Sequence, residues 1–230
     1  MKFDDDYQQY AEVALHNFAN IDEERRYWLV ESVGNKQVER ILDVGCGAGY
    51  DLLQFIERKN AIGFGIDIAE KVGEIGKEFF ETTNFADKVN FFCSRGEELP
   101  FANESFDVIL CMVALPYMNN KKTIAEISRV LRPNGIFLLK IHAPKFYFQM
   151  LRERFKAGNL KSLIYPLIAL FTGSFYWLTG NQLEGEILKG KEMFQTEKMI
   201  TSELHTQGLK IKDYLKSNNE ETPAYLIVKV

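Results

Sequence analysis

ILDVGCGAGYDL, residues 41–52, decides the fold. Ile41 to Val44 reads as a buried strand, Gly45, Cys46, Gly47, Ala48 and Gly49 follow, and a helical pattern opens at Tyr50. Glycine accepts left-handed backbone and carries no Cβ, so such a junction turns sharply and lets a ligand come close to the main chain. A dinucleotide fingerprint spaces its glycines G-x-G-x-x-G and seats a pyrophosphate on the helix N-terminus. Here the third glycine arrives one residue early and Tyr50 fills a place which that fingerprint keeps small. Asp43, just before the turn, puts a carboxylate where a diphosphate would be repelled, and it suits a cationic ligand instead.

Outward from the turn, short apolar runs alternate with longer amphipathic ones from Glu39 to His142. The strand candidates are ERILDV, AIGFGID, KVNFFC, FDVILCM and GIFLLKIH; helices are expected to begin near Tyr50, Ala69 and Asn119, with a short connection after Gly96. This is the pattern of a doubly wound α/β sheet, which binds ligands beyond the carboxyl ends of its strands. FQTEKMITSELHTQG then reads as a helix capped by Thr196 and stopped by Gly208, and LKIKDYLKS and PAYLIVKV as closing strands.

Asp67 ends the second strand candidate, 18 residues past Gly49, where a carboxylate can accept two hydrogen bonds from vicinal ribose hydroxyls. Capping of the following helix competes for the same side chain. With an ammonium- and sulfonium-bearing nucleoside as ligand, the two acids point to S-adenosylmethionine rather than NAD. An NAD-dependent oxidoreductase is the disfavoured rival, because of Asp43 and the early Gly49.

Four ordered segments, ILDVGCGAG, GIDIA, SRGEELPFANESFDVIL and ISRVLRPNGIFLL, resemble the class I S-adenosylmethionine-dependent methyltransferases, especially the branch that acts on small molecules and on quinone-like or lipid-like acceptors. The resemblance covers about Glu39 to His142. It implies a Rossmann-like, mostly parallel seven-stranded sheet with an antiparallel last strand, and S-adenosyl-L-homocysteine as the product. By resemblance, Asp43, Gly45, Cys46, Gly47 and Gly49 surround the methionine part. Asp67 and Ile68 hold the ribose and flank the adenine, Gly96 and Glu97 meet the adenine edge, and Cys111 and Met112 line the sulfonium region. Arg95 is included although many relatives carry Asp or Ser there, a departure that shifts adenine recognition towards backbone contacts. ALPY, residues 114–117, lacks the Asn/Asp-Pro-Pro-aromatic signature of enzymes that methylate the exocyclic amines of bases.

An oxygen or carbon acceptor profits from a base, and His142, after the fifth strand candidate, is the catalytic candidate, weighed against a merely structural histidine. His16 and His205 have weaker claims; Tyr10 and Tyr117 are candidates to touch the acceptor. No metal is expected: Cys46, Cys93 and Cys111 lack the spacing of a zinc or disulfide site. A non-catalytic S-adenosylmethionine-binding or scaffold protein would use the same turn and is the alternative reading.

With 230 residues, 46% of them hydrophobic, one substantial core is expected. The division is an N-terminal helical cap over 1–38, a cofactor-binding core over 39–145, an apolar helical insert over 146–190, and 191–230 completing the core. Phe148, Leu151 and Phe155 predict an amphipathic helix at the start of the insert. Ser162 to Thr179 runs 18 residues without a charge; Pro166 and Gly173 predict two short helices there rather than a membrane span. The insert is expected to be a lid over the site, a homodimer surface or a peripheral membrane contact. The net charge of −4 gives no pull towards nucleic acid, so the expected partner is a small-molecule acceptor. An acidic, polar MKFDDDYQQY without a secretory pattern sets the expectation of a cytoplasmic protein, membrane-associated at the surface if the insert serves that purpose.

Overall fold

The computed structural model describes residues 26–183 and 191–230. Tyr10, His16 and residues 1–25 of the expected N-terminal cap lie outside the described residues; inside them, only α1 (Trp28–Ser32) precedes the first strand.

Seven strands, β1 (Arg40–Val44), β2 (Ile62–Asp67), β3 (Val89–Cys93), β4 (Phe106–Met112), β5 (Leu131–Lys140), β6 (Leu209–Tyr214) and β7 (Ala224–Lys229), form one sheet in the order β3-β2-β1-β4-β5-β7-β6. The first five are parallel, and β7 runs antiparallel between β5 and β6. Every predicted strand is present. β5 begins four residues before the apolar run that announced it, at Leu131, which pairs with Phe106 across an irregularity in register.

The alternation of the strands explains the two cores. Ile41, Val108, Leu110 and Leu138 point to the face covered by α1, α2 (Tyr50–Lys59) and α3 (Glu70–Glu81). Leu42, Ile109, Cys111, Phe137 and Leu139 point to the face covered by α4 (Asn120–Val130) and α7 (Glu197–Thr206). Thr196 caps α7 by accepting from the Met199 amide at 3.3 Å, and Gly208 follows it at φ 67°, as the sequence signals.

The insert corrects one expectation. Instead of two short helices, α5 (Pro144–Lys156) is followed by a 3₁₀ turn (Leu160–Leu163) and one continuous helix, α6 (Ile164–Thr179). Pro166 falls in the first turn of α6, where its missing N–H costs no intrahelical bond. Gly173 does not break the helix but makes room: a Cβ there would stand 2.4 Å from the Phe194 ring. Gly180 ends the helix in the left-handed conformation. Tyr147, Ala169, Tyr176, Met193, Phe194 and Met199 form a small separate core between the insert and α7.

Candidate active site

The strand-to-helix junction after β1 is held by the neighbouring strand. The amides of Gly45 and Cys46 both donate to the Ile66 carbonyl at 2.9 Å, and Gly45, Gly47 and Gly49 adopt φ of 74°, 50° and 74°. The three glycines have different duties. A Cβ on Gly45 would lie 2.3 Å from Ala114 Cβ, and one on Gly49 2.7 Å from the Phe91 ring, so both make room for the chain's own side chains. A Cβ on Gly47 would meet nothing within 4 Å; that glycine borders open space.

Asp67 holds backbone at the start of the next helix, the duty weighed against sugar binding, and also braces the glycine turn. One oxygen accepts the Gly47 amide at 3.0 Å and the other the Ala69 amide at 3.0 Å, fixing the turn and the start of α3 together. Each oxygen keeps a lone pair for a hydroxyl. Ile68 beside it is exposed, an apolar side chain placed to cover a ring. A small cleft of about 160 Å³ opens at the same strand tips, lined by Cys46, Asp67 and Cys93 among others.

Asp43 is 3% exposed, and its Oδ1 has no hydrogen-bond partner among the described residues. Burial, then the charges of Asp51 and Asp67, hold its carboxyl well above the usual range. Burial also lifts Asp51, in the first turn of α2, to about 6 against the opposing pull of Lys140. Three carboxyl groups therefore crowd one turn, two of them destabilised as anions. A ligand carrying positive charge relieves that arrangement and partners the orphaned oxygen, which is the fit expected for a sulfonium nucleoside with an α-ammonium group. Asp51 was not singled out from the sequence; its place directly after the glycine turn was the available signal.

The adenine-edge candidates are more structural than expected. Glu97 accepts the Asn119 amide at 2.9 Å and sits 3.6 Å from exposed Arg95, so its carboxylate ties the post-β3 loop to the start of α4. Gly96 is buried against Met118 and Val44. Cys111 is buried and its thiol is pushed up to about 12 by that burial, which makes it inert; Met112 beside it is half-buried. Burial, with Asp43 and Asp67, likewise raises the Cys46 thiol.

A second constellation forms at the tips of β4 and β5. After β4, Val113 takes φ 56°, a conformation that costs a β-branched residue about 1–3 kcal/mol, and its amide donates to the Lys140 carbonyl. The chain then turns through Ala114 to Met118. Ala114 and Met118 face Gly45, whereas the Tyr117 hydroxyl lies 3.2 Å from that of Tyr165 on α6. Tyr165 donates to Glu192, and the other oxygen of Glu192 pairs with His142 Nδ1. Glu192 is buried, and His142 and Tyr165 are its side-chain hydrogen-bond partners among the described residues. With Nδ1–H donating to the carboxylate, Nε2 of His142 is left as the proton-accepting nitrogen. Phe146 stacks on the imidazole at 3.9 Å and Tyr147 meets it edge-on at 6.1 Å, which fixes the ring. Burial and the Glu192 charge raise both Tyr147 and Tyr165, so neither phenol ionises.

Of the sequence candidates here, the structure unites His142 and Tyr117. Glu192 and Tyr165 were missed. Glu192 stands in an extended stretch with no period to mark it, and Tyr165 is lost among the apolar residues of the insert.

A doubly wound sheet ending in β5-β7-β6, with a carboxylate-ringed glycine turn at the tip of β1, defines a class I nucleoside-binding architecture. Residues 41–135 match the methyltransferase domain family. The chain is 34% identical over 106 residues to an O-methyltransferase of Aspergillus nomiae, covering 46% of this chain and 47% of that one. It is 29% identical over 130 residues to a ubiquinone/menaquinone biosynthesis C-methyltransferase of Geotalea daltonii, covering 55% of each. The matches thus span about half the length of these curated relatives. Geranyl diphosphate C-methyltransferase from Streptomyces coelicolor, solved with S-adenosyl-L-homocysteine, shares the fold at a TM-score of 0.63 and 10% identity, covering 90% of this chain and 77% of that one. Residues 41–135 thus match a methyltransferase domain, for which S-adenosylmethionine is the cofactor.

Proposed function

We propose that the protein transfers a methyl group to a small hydrophobic or aromatic acceptor in the cytoplasm, with His142 as the base that receives the acceptor's proton. The observation that carries the cofactor half is the buried, unpartnered Oδ1 of Asp43 among the carboxyl groups of Asp51 and Asp67. The residues suited to hold the cofactor are Asp43 towards its cationic end, Asp67 towards the sugar and Ile68 over the base. Bound there, S-adenosylmethionine supplies an electrophilic methyl group for in-line attack by the acceptor.

The acceptor half rests on the chain's own side chains. Glu192 holds the imidazole of His142 by Nδ1, which aims Nε2 away from the carboxylate and leaves it free to take a proton. Phe146 and Tyr147 pack on the imidazole, and Tyr117 and Tyr165 extend the aromatic setting through Glu192, which suits an apolar acceptor. The geranyl diphosphate and quinone-pathway enzymes named above support a hydrophobic acceptor by likeness of fold and of sequence. The outer surface of the insert serves as a contact face.

The test is titration calorimetry with S-adenosyl-L-homocysteine, followed by incubation with isotopically labelled S-adenosylmethionine and an extract of hydrophobic metabolites. Saturable binding and a labelled apolar product are expected. No binding at ~1 mM ligand would remove the cofactor reading; binding without any labelled product would remove the enzymatic one and leave a binding module.

A further inference from the structure

Helix α6 is apolar on both sides, but among the described residues only one side is buried. Pro166, Ala169, Thr172, Gly173 and Tyr176 are buried against the rest of the protein. Opposite them, Ile164, Leu167, Phe171 and Leu178 recur at helical spacing and are 60%, 53%, 65% and 73% exposed. Helix α5, packed beside it, continues the surface with Phe148 and Phe155, both exposed, and Arg152 between them on the same stripe. Leu160, in the turn that joins the two helices, is exposed as well. Over Leu160–Thr179 the chain is long and apolar enough to cross a membrane. Its inner side, however, is committed to the Tyr147–Phe194 core, so it lies along a surface rather than through a bilayer.

Charge selects the occupant. Between Lys145 and Leu183 stand five basic residues and one acidic residue, in a chain whose net charge is −4. Arg152, Lys156 and Lys161 are exposed and form no ion pair among the described residues. A two-fold pairing of this face with a second copy would set its positive charge against itself. An anionic lipid surface supplies the opposite charge together with the apolar layer that the stripe requires, and Trp177, exposed near the end of α6, is the residue type favoured at such a boundary.

We propose that the outer face of α5 and α6 docks the protein on the surface of an anionic bilayer, with α6 lying in the interfacial plane. Tyr165, on the same helix, reaches Glu192 beneath it. One helix thus separates lipid from the acceptor cluster, and a lipophilic acceptor can pass from the membrane to His142 around its edge. Only this delivery step rests on the acceptor reading given above; the docking does not.

The test is co-flotation of the purified chain with vesicles of phosphatidylcholine alone or mixed with phosphatidylglycerol, which needs neither cofactor nor turnover. Binding to the anionic vesicles is expected, with little to the neutral ones. The pair Leu167→Glu and Phe171→Glu should weaken it at least ~tenfold by removing apolar contact and adding repulsion. Arg152→Glu with Lys156→Glu should also weaken it at least ~tenfold, since each basic residue near such a surface contributes roughly fivefold. Retained S-adenosyl-L-homocysteine affinity in both variants establishes that the fold is intact and separates this test from that of the methyltransferase reading. Equal flotation of wild type and variants, equal binding to both vesicle types, or no flotation together with a dimer in sedimentation velocity that Leu167→Glu/Phe171→Glu dissolves would each overturn the proposal.

Discussion

The tips of β1 and β2 and the tips of β4 and β5 are built by opposite means. At the first pair, one contiguous stretch, residues 41–52, and one acid, Asp67, do nearly everything, mostly through backbone conformation and hydrogen bonds. At the second, four side chains spread over residues 117–192, Tyr117, His142, Tyr165 and Glu192, meet in one hydrogen-bonded chain, with the insert contributing Tyr165 to it. In the function proposed above, the cofactor is served by a local motif and the acceptor by long-range assembly. Damage to one half should therefore leave the other intact.

Asp43→Asn is expected to break that balance most. It removes a buried carboxylate that only a cation can satisfy, so affinity for S-adenosylmethionine should fall ~10–100-fold in calorimetry. The ligand-free variant should melt a few degrees higher, since ~1–2 kcal/mol of unfavourable burial disappears and each 1 kcal/mol shifts the midpoint by roughly 2–4 °C at this size. An unchanged affinity would remove Asp43 from the site.

Glu192→Gln tests the other half. Turnover should drop ~10–100-fold because the imidazole loses its orienting carboxylate, while the affinity for S-adenosyl-L-homocysteine stays put. A matching loss of cofactor binding would show that the two halves are not separable. Gly173→Ala acts through packing alone: the added methyl collides with Phe194 and should cost ~1–3 kcal/mol of stability, read from the melting midpoint. Because Phe194 is two residues from Glu192, turnover should fall with it, and cofactor affinity should not.

The mildest expected effect is the pH dependence of the cofactor half. Asp51 carries a carboxyl raised to about 6 by burial, and a cation bound nearby favours its ionised form. Affinity for S-adenosylmethionine should thus weaken by up to ~tenfold as pH falls through about 6, and that for S-adenosyl-L-homocysteine, with its neutral sulfur, by less. For ligand-free protein the sign reverses. The folded chain keeps a proton that the unfolded chain has released, so this contribution to stability is present below 3.8 and is lost as pH rises past about 6. Calorimetry and thermal melts at pH 5 and pH 8 measure both.

The same contrast explains what the sequence disclosed. All seven strands and the helix starts at Tyr50, Ala69 and Asn119 were legible to within a few residues, because alternation, glycine turns and caps are local signals. The placement of Asp43 and Asp67 beside the glycine turn was legible for the same reason. Glu192 was not, since a buried acid in an aperiodic stretch declares itself only when folding brings His142 to it. The continuous α6 was misjudged because Pro166 and Gly173 were weighed as breakers without knowing that one falls in the first turn and the other against Phe194. The two oxygens of Asp67 accept the Gly47 amide in the turn and the Ala69 amide at the entry to α3, duties that sequence spacing could not rank against sugar binding.

Gly45 and Tyr117 sit on opposite sides of one short bend, with Ala114 and Met118 pressed against the glycine and the phenol turned towards the insert. The bend is a party wall. Enlarging the residue at 114 would press directly on Gly45 and so on the turn after β1, whereas changes within the insert reach only the Tyr117–Tyr165 side. Sequence change in the insert therefore leaves the glycine turn untouched.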